Sequence, residues 1–172
     1  MSSAVGDILG YVWGPRGERI DVPILNERDR QTYYGVVNLM TGSPFVMPAE
    51  TGNGAHSVLF LKALRRNFQG RRLFIIWDRA SSHRGDLVKA DLKELNGERP
   101  EQERLIHLEY LAPNAPEQNP MEDGWLAAKR WIRKHFFLCE TFEQIKHRFV
   151  TFIHDFILKT VKFEWYWTPQ LI

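Results

Sequence analysis

The stretch RLFIIWDRASSH, residues 72–83, predicts a buried strand that carries a carboxylate at its own end. The apolar residues 73–77 form a short continuous run, typical of a strand covered on both faces, and Asp78 follows at once. Functional side chains collect at the carboxyl ends of strands in α/β sheets, because the chain leaves the core there. Asp78 is therefore a candidate site residue, although it could equally cap a turn toward Ser81 or Ser82.

The segments on either side of this strand alternate between strand and helix patterns. We predict a strand and turn at 11–24, a hairpin within 31–53 turning at 41–44, a helix at 57–70, a helix at 85–97, a strand at 105–112, and helices at about 120–137 and 141–160. This order predicts a mixed α/β sheet with helices on both faces.

Length and composition favour one folded domain, which we assign to residues 1–172. An apolar content of 44% argues against intrinsic disorder, and the single cysteine, Cys139, excludes an intramolecular disulfide framework and an all-cysteine metal site. No apolar stretch approaches the roughly 18 residues of a membrane span, and the N-terminus lacks signal-peptide features, so we expect a cytoplasmic protein that makes no use of a membrane. The net charge of +2 neither requires nor excludes nucleic acid.

A second carboxylate begins the first of the C-terminal helices, after the loop PNAPEQNP at 113–120. Asn119 can cap this helix with Pro120 as its first residue, which makes Glu122 the third. Helix chemistry alone favours a capping role, because a glutamate there interacts with the positive end of the helix dipole. Alternatively, two carboxylates on separate elements could share Mg²⁺, which prefers a few carboxylates plus water and substrate phosphate. Paired cations of this kind catalyse phosphodiester cleavage.

The helix after Asn119 separates apolar from basic residues. Its apolar face consists of Trp125, Ala128, Ile132 and Phe136, and its cations are Lys129, Arg130, Arg133 and Lys134. Such cations suit contacts with a phosphate backbone, and an ordinary solvated face explains them about as well.

Two of these segments together resemble a known family. They are IIWDRASSH and the block formed by Pro113, Pro116, Asn119, Pro120, Glu122 and Trp125. They are similar to the C-terminal part of the catalytic domain of DDE-type transposases, in the bacterial insertion-sequence group related to mariner elements. In that family an apolar strand ends in Asp, usually followed by Asn and then His. A Pro-x-x-Pro-x-x-Asn-Pro-x-Glu-x-x-Trp block and a basic helix come later.

The resemblance implies an RNase H-like fold, bound Mg²⁺ or Mn²⁺ at a two-metal site, and cleavage and transfer of DNA strands. Asp78 matches the second acidic residue of the family and Glu122 the third, so both are implied as catalytic metal ligands. His83 matches a residue near the site, and Asn119 matches a loop residue. DNA is the implied partner, with a homo-oligomer as the complete assembly.

The chain departs from the family pattern at two places. Arg79 stands where the family usually has Asn. The family's first catalytic Asp lies about a dozen residues before a Trp-x-Pro-x-Gly element, which is residues 13–17 here, so it should fall near or before residue 1. Asp7 is the nearby aspartate, and its position after Gly6 is typical of a turn.

We therefore expect an N-terminally truncated domain that lacks its first, central strand and is catalytically incomplete alone. A second polypeptide could supply the missing aspartate and the DNA-recognition region. The alternative is a non-catalytic remnant that binds DNA or interacts with a complete transposase. In both cases we expect no metal-dependent nicking of supercoiled DNA by this chain alone.

Overall fold

The computed structural model describes residues 2–4, 30–113, 118–135 and 138–160. The strands are β1 (Ser2–Ala4), β2 (Arg30–Val37), β3 (Pro44–Ala49), β4 (Leu73–Trp77) and β5 (Ile106–Tyr110), and the helices are α1 (Gly54–Asn67), α2 (Ser81–Arg84), α3 (Asp86–Asn96), α4 (Pro120–His135) and α5 (Phe142–Thr160). Asp7, residues 13–17 and the predicted strands of 11–24 lie outside the described residues.

The first sheet is antiparallel, in the order β1-β2-β3. Strands β2 and β3 form the hairpin predicted around residues 41–44. Gly42 has a φ of 71°, a left-handed conformation that glycine adopts without steric cost, and its amide donates to the Asn38 carbonyl at 2.7 Å. The hairpin prediction is therefore confirmed.

Strand β2 places side chains in two separate cores. Tyr33 and Val37 pack with α4 and α5, whereas Tyr34 packs with α1 and β4. Successive side chains of a strand point to opposite faces, so neighbouring tyrosines enter different cores. The prediction of a mixed α/β chain with helices on both faces is confirmed.

The second sheet consists of β4 and β5, which run parallel and are paired from Leu73 opposite Ile106 to Trp77 opposite Tyr110. The buried side chain of Asn96, at the end of α3, anchors the crossover. Its Nδ2 donates to the Ile106 carbonyl at 2.9 Å, and its Oδ1 accepts from the Leu105 amide at 2.9 Å. This contact fixes α3 against β5, which α3 precedes in the chain.

The prediction that β4 is covered on both faces is wrong. Ile75 and Trp77 are buried, but Phe74 is 65% exposed and Ile76 45% exposed. Helix α1 packs over one face only, as part of the core that contains Ile75. On the other face, Phe74 pairs with His107 of β5 and stacks on its ring at 5.0 Å.

Neighbouring apolar residues of α3 also differ in burial. Leu87 is 60% exposed, whereas the adjacent Val88 is 1% exposed. Leu87 is the second residue of the helix, at the end that packs near Gly54 rather than over the sheet.

The two long C-terminal helices pack on each other and on β2. The Trp125 and Phe149 rings lie 6.0 Å apart in nearly parallel planes, and Ala128 and Ile153 are completely buried. No helix among residues 2–4, 30–113, 118–135 and 138–160 is both long and apolar enough to cross a membrane. These helices place the start of α4 beside the sheet.

Candidate metal and DNA site

Asp78 lies directly after β4, where the chain turns into α2. Its Oδ1 accepts two hydrogen bonds, from the Ala80 amide at 2.9 Å and from His83 Nδ1 at 2.8 Å. The carboxylate therefore closes a short turn of its own, although the partner is Ala80 rather than Ser81 or Ser82. Both hydrogen bonds use the same oxygen, and Oδ2 accepts none from the described residues.

His83 is held from several sides. Its ring lies 4.0 Å from the Trp77 ring and 5.9 Å from that of Tyr34, and only 8% of the residue is exposed. The Tyr110 hydroxyl donates to the His83 carbonyl at 3.3 Å. The structure thus brings His83 into contact with Asp78, and the surrounding rings restrict the imidazole orientation.

The charge state of Asp78 follows from these contacts. The hydrogen bond from His83 lowers the pKa of this carboxyl below its ordinary value, against the opposing effect of partial burial. The side chain remains 46% exposed. Asp78 is therefore an ionised carboxylate with one oxygen fixed by the protein and the other open to a cation.

Glu122 is the third residue of α4, as predicted. The Asn119 side chain accepts from the Met121 amide at 3.1 Å, and the Asn119 carbonyl accepts from the Glu122 amide at 2.9 Å. Asn119 therefore caps the helix, and its side-chain oxygen is used in doing so. Its effect on the site is to set where α4 begins.

Glu122 and Asp78 influence each other electrostatically. Burial raises the pKa of Glu122, and the negative charge of Asp78 raises it further, while Lys129 acts in the opposite direction. Asp78 at the end of β4 is therefore close enough to Glu122, in the first turn of α4, for its charge to act on that carboxyl.

Gly35 in β2 sets how closely α4 approaches the sheet. A Cβ at this position would lie 2.5 Å from Met121 Cε and 2.6 Å from Trp125 Cζ2, well inside van der Waals contact. The helix that carries Glu122 thus rests directly on the β2 backbone. Gly35 was not among the predicted site residues, although a lone glycine inside a strand indicates close approach of another element.

Arg79 joins the ends of the two parallel strands. Its Nε donates to the Leu111 carbonyl at 2.9 Å, and the Leu111 amide donates to the Trp77 carbonyl at 2.8 Å. The residue is otherwise exposed. Its guanidinium consequently spans the sheet edge from which Asp78 emerges.

The four cations of α4 occupy different environments. Arg130, Arg133 and Lys134 are exposed, whereas Lys129 is half-buried and its charge affects Glu122. Lys129 is therefore within electrostatic reach of Glu122, and the other three cations lie on the solvent side of the helix.

The described residues offer a divalent cation two carboxylates and no larger set of ligands. Within the described residues no group of three or more His, Cys, Asp or Glu side chains is arranged to hold a metal ion. Mg²⁺ is commonly held by one or two carboxylates, with water and substrate phosphate completing its coordination. Asp78 and Glu122 fit that pattern as two oxygen donors.

A family profile and one solved structure are similar to this chain. The profile of a family described as DDE superfamily endonuclease matches residues 3–146. No curated protein sequence matches the chain. Among solved structures, a chain in the crystal structure of the Mos1 strand transfer complex is similar, with a TM-score of 0.49 and 16% identity over 87% of this chain. This chain spans 48% of that one, and a similarity this low supports no statement about function.

Proposed function

The chain belongs to the DDE superfamily endonucleases, and from this premise we propose that it is the catalytic portion of a transposase, with an RNase H-like fold. The Asp-turn-His segment and the proline-rich block before Glu122 support the transposase assignment, because they resemble that group. The proposal rests on the charge of Asp78 acting on Glu122 from a separate element, and on the Asp78 Oδ2, which accepts no hydrogen bond from the described residues. Capping alone explains the position of Glu122 but gives no reason for a second carboxylate within electrostatic reach of it.

Asp78 and Glu122 would hold the Mg²⁺ or Mn²⁺ of the proposed reaction. The bound cation supplies Lewis-acid polarisation of the phosphodiester and neutralises charge that develops on its oxygens. Asp78, whose pKa is lowered, would contribute its Oδ2 as an ionised ligand while His83 and the Ala80 amide hold its Oδ1. Glu122, whose pKa is raised, releases any proton it holds when it becomes a ligand.

The remaining parts of the proposal concern the rest of the assembly. We propose a third carboxylate from outside the described residues or from a second polypeptide, and a homo-oligomer as the complete enzyme. The cations of α4 contact the DNA backbone beside the cleaved strand. Without the third carboxylate the chain binds a cation and DNA but does not cut.

Calorimetric titration with Mn²⁺ tests the metal site. We expect binding by the wild-type chain and loss of at least tenfold in affinity in Asp78→Asn and in Glu122→Gln, since each removes one charged ligand. Asp86→Asn and Glu94→Gln remove exposed carboxylates of α3 and should bind Mn²⁺ as the wild type does. Equal affinity in all five proteins would refute a shared metal site.

Plasmid nicking tests the catalytic part separately. We expect no Mn²⁺-dependent nicking by the chain alone. Nicking that disappears in Asp78→Ala and Glu122→Ala would show that the chain already contains its third ligand. DNA binding without Mn²⁺ binding would instead favour the alternative, a non-catalytic DNA-binding remnant.

A further inference from the structure

Arg79 carries an inference that deepens the proposed function and rests on it. We propose that Arg79 binds a phosphate of the DNA substrate next to the metal site, with its guanidinium oriented by the Leu111 carbonyl. The family usually has Asn at this position, so this contact would be a property of this chain. The proposal starts from the geometry of the strand ends.

The Arg79 side chain reaches from the end of one parallel strand to the end of the other. Arg79 directly follows Asp78 in the chain, yet its Nε reaches the carbonyl of Leu111, which directly follows β5. The Leu111 amide is itself tied to the Trp77 carbonyl at 2.8 Å. The guanidinium therefore lies along the carboxyl edge of the parallel sheet, where Asp78 also emerges.

Most hydrogen-bond donors of Arg79 are not used by the described residues. An arginine has five N–H donors, and Nε–H is the one bonded to the described residues. Its two Nη atoms keep four donors and the positive charge on an exposed side chain. A planar guanidinium of this kind matches the two oxygens of a phosphate.

The orientation of the Arg79 side chain is already restricted before a ligand binds. A long exposed arginine normally loses rotamer freedom when it binds a ligand. Here the Nε bond already restricts the side chain, since donor and acceptor belong to the ends of two paired strands. In addition, Arg79 has no carboxylate partner among the described ion pairs, so its charge is available to a phosphate.

The test measures binding of a fluorescent DNA duplex of arbitrary sequence by the full chain, without divalent metal, over a range of salt concentrations. Arg79→Gln should weaken binding about tenfold at low salt, the size of one charge-assisted contact. The slope of log affinity against log salt should fall by about 0.9, the value for one lost phosphate contact. Arg79→Lys, which keeps the charge, should retain most of the slope.

Arg84→Gln is the matched control, because Arg84 is an exposed arginine of α2 and its loss changes net charge equally. It should change the slope less than Arg79→Gln does. Equal slopes in both Gln variants, or no DNA binding by the wild type, would overturn the proposal. Melting temperatures of all variants show whether any loss reflects unfolding.

The same protein preparations separate this inference from the proposed function. A slope change specific to Arg79→Gln, together with no effect of Asp78→Asn or Glu122→Gln on Mn²⁺ binding, would support the phosphate contact and refute the metal site. The expected loss of Mn²⁺ binding in Asp78→Asn and Glu122→Gln, together with equal salt slopes in Arg79→Gln and Arg84→Gln, would support the metal site and refute the phosphate contact.

Discussion

At the scale of single residues, Asp78 and Glu122 are both carboxylates with opposite pKa shifts. The donor from His83 lowers the pKa of Asp78, whereas burial and the Asp78 charge raise that of Glu122. The difference arises because a hydrogen-bond donor stabilises the charged form of Asp78, whereas burial is the largest effect that disfavours the charged form of Glu122. The ionised form of Glu122 is therefore disfavoured when no cation is bound.

This asymmetry predicts that Glu122→Gln stabilises the metal-free protein at neutral pH. A carboxyl whose folded-state pKa is raised contributes stability below its ordinary value of 4.5, and this contribution is lost as pH rises through the folded-state pKa. The stability gain of the Gln variant should thus appear as pH rises from 4 to 7. Urea unfolding at several pH values measures it, with Glu94→Gln as the control for loss of one charge.

The sign should reverse when Mn²⁺ is added, because a cation that binds only the folded state stabilises the protein that binds it more tightly. A Glu122→Gln variant that is less stable than wild type without metal at pH 7 would contradict the electrostatic explanation. That result would assign Glu122 to helix capping alone.

At the scale of elements, the position of α4 depends on the contact between Gly35 and the side chains of Met121 and Trp125. Glu122 lies between these two residues in the chain, so the contact that seats the helix also sets the position of the carboxylate. Met121 has a flexible end that can shift, but Trp125 is 4% exposed and its ring is confined by Phe149.

We predict that Gly35→Ala destabilises the chain by about 2 kcal/mol, because the added methyl overpacks a rigid contact. It should also weaken Mn²⁺ binding, since α4 must move away from β2. Gly52→Ala is the control, as its nearest neighbour would be Thr32 Cγ2 at 4.0 Å. Denaturant unfolding and Mn²⁺ titration of both variants measure the two effects, and equal stabilities would contradict the seating role of Gly35.

Local patterns predicted most of these elements. The hairpin turn and the Asn119 cap of α4 depend on residues close in the sequence, so the local sequence was sufficient to predict them. The single exposed face of β4 was not predictable, because an apolar run does not show how many layers will cover it. The importance of Gly35 was missed for a similar reason, since its partners are more than eighty residues away in the chain.

The candidate site likewise contains residues that local sequence predicts and contacts that it does not predict. Asp78 and Glu122 were each identified from a strand end and a helix start, and their proximity is a property of tertiary packing. The bond between Arg79 and Leu111 joins residues 32 positions apart, and no local pattern predicts it. Residues 5–29 lie outside the described part, so the assignment of Asp7 to a turn stays a prediction.

At the scale of the whole molecule, the two carboxylates belong to different layers. Asp78 follows β4, whose core includes Ile75 and Ile106, and Glu122 belongs to α4, whose core includes Ile153. Strand β2 contributes side chains to both cores and lies between them. The geometry of the site therefore depends on how these two layers are held together.

We predict that the two cores contribute independently to stability. Ile106→Val and Ile153→Val each remove one methylene from a side chain at most 1% exposed, and each should cost about 1 kcal/mol. The double variant should cost about 2 kcal/mol, since the two residues share no packing cluster. Denaturant unfolding of all three proteins measures this. Ile76→Val, at a site 45% exposed, is the control and should cost less.

A double-variant cost that differs from the sum by more than about 1 kcal/mol would show instead that the cores are coupled through β2.

The adjacent tyrosines of β2 have a consequence for how this fold tolerates insertions and deletions. Because Tyr33 and Tyr34 enter opposite cores, removing a single residue ahead of them would exchange the two rings across the sheet. Gly35 would also leave the face that Met121 and Trp125 contact, and a larger neighbour of β2 would take its place. A change in the length of β2 should consequently destabilise the fold far more than a point substitution within it. The length of β2 thus helps to set the distance between Asp78 and Glu122.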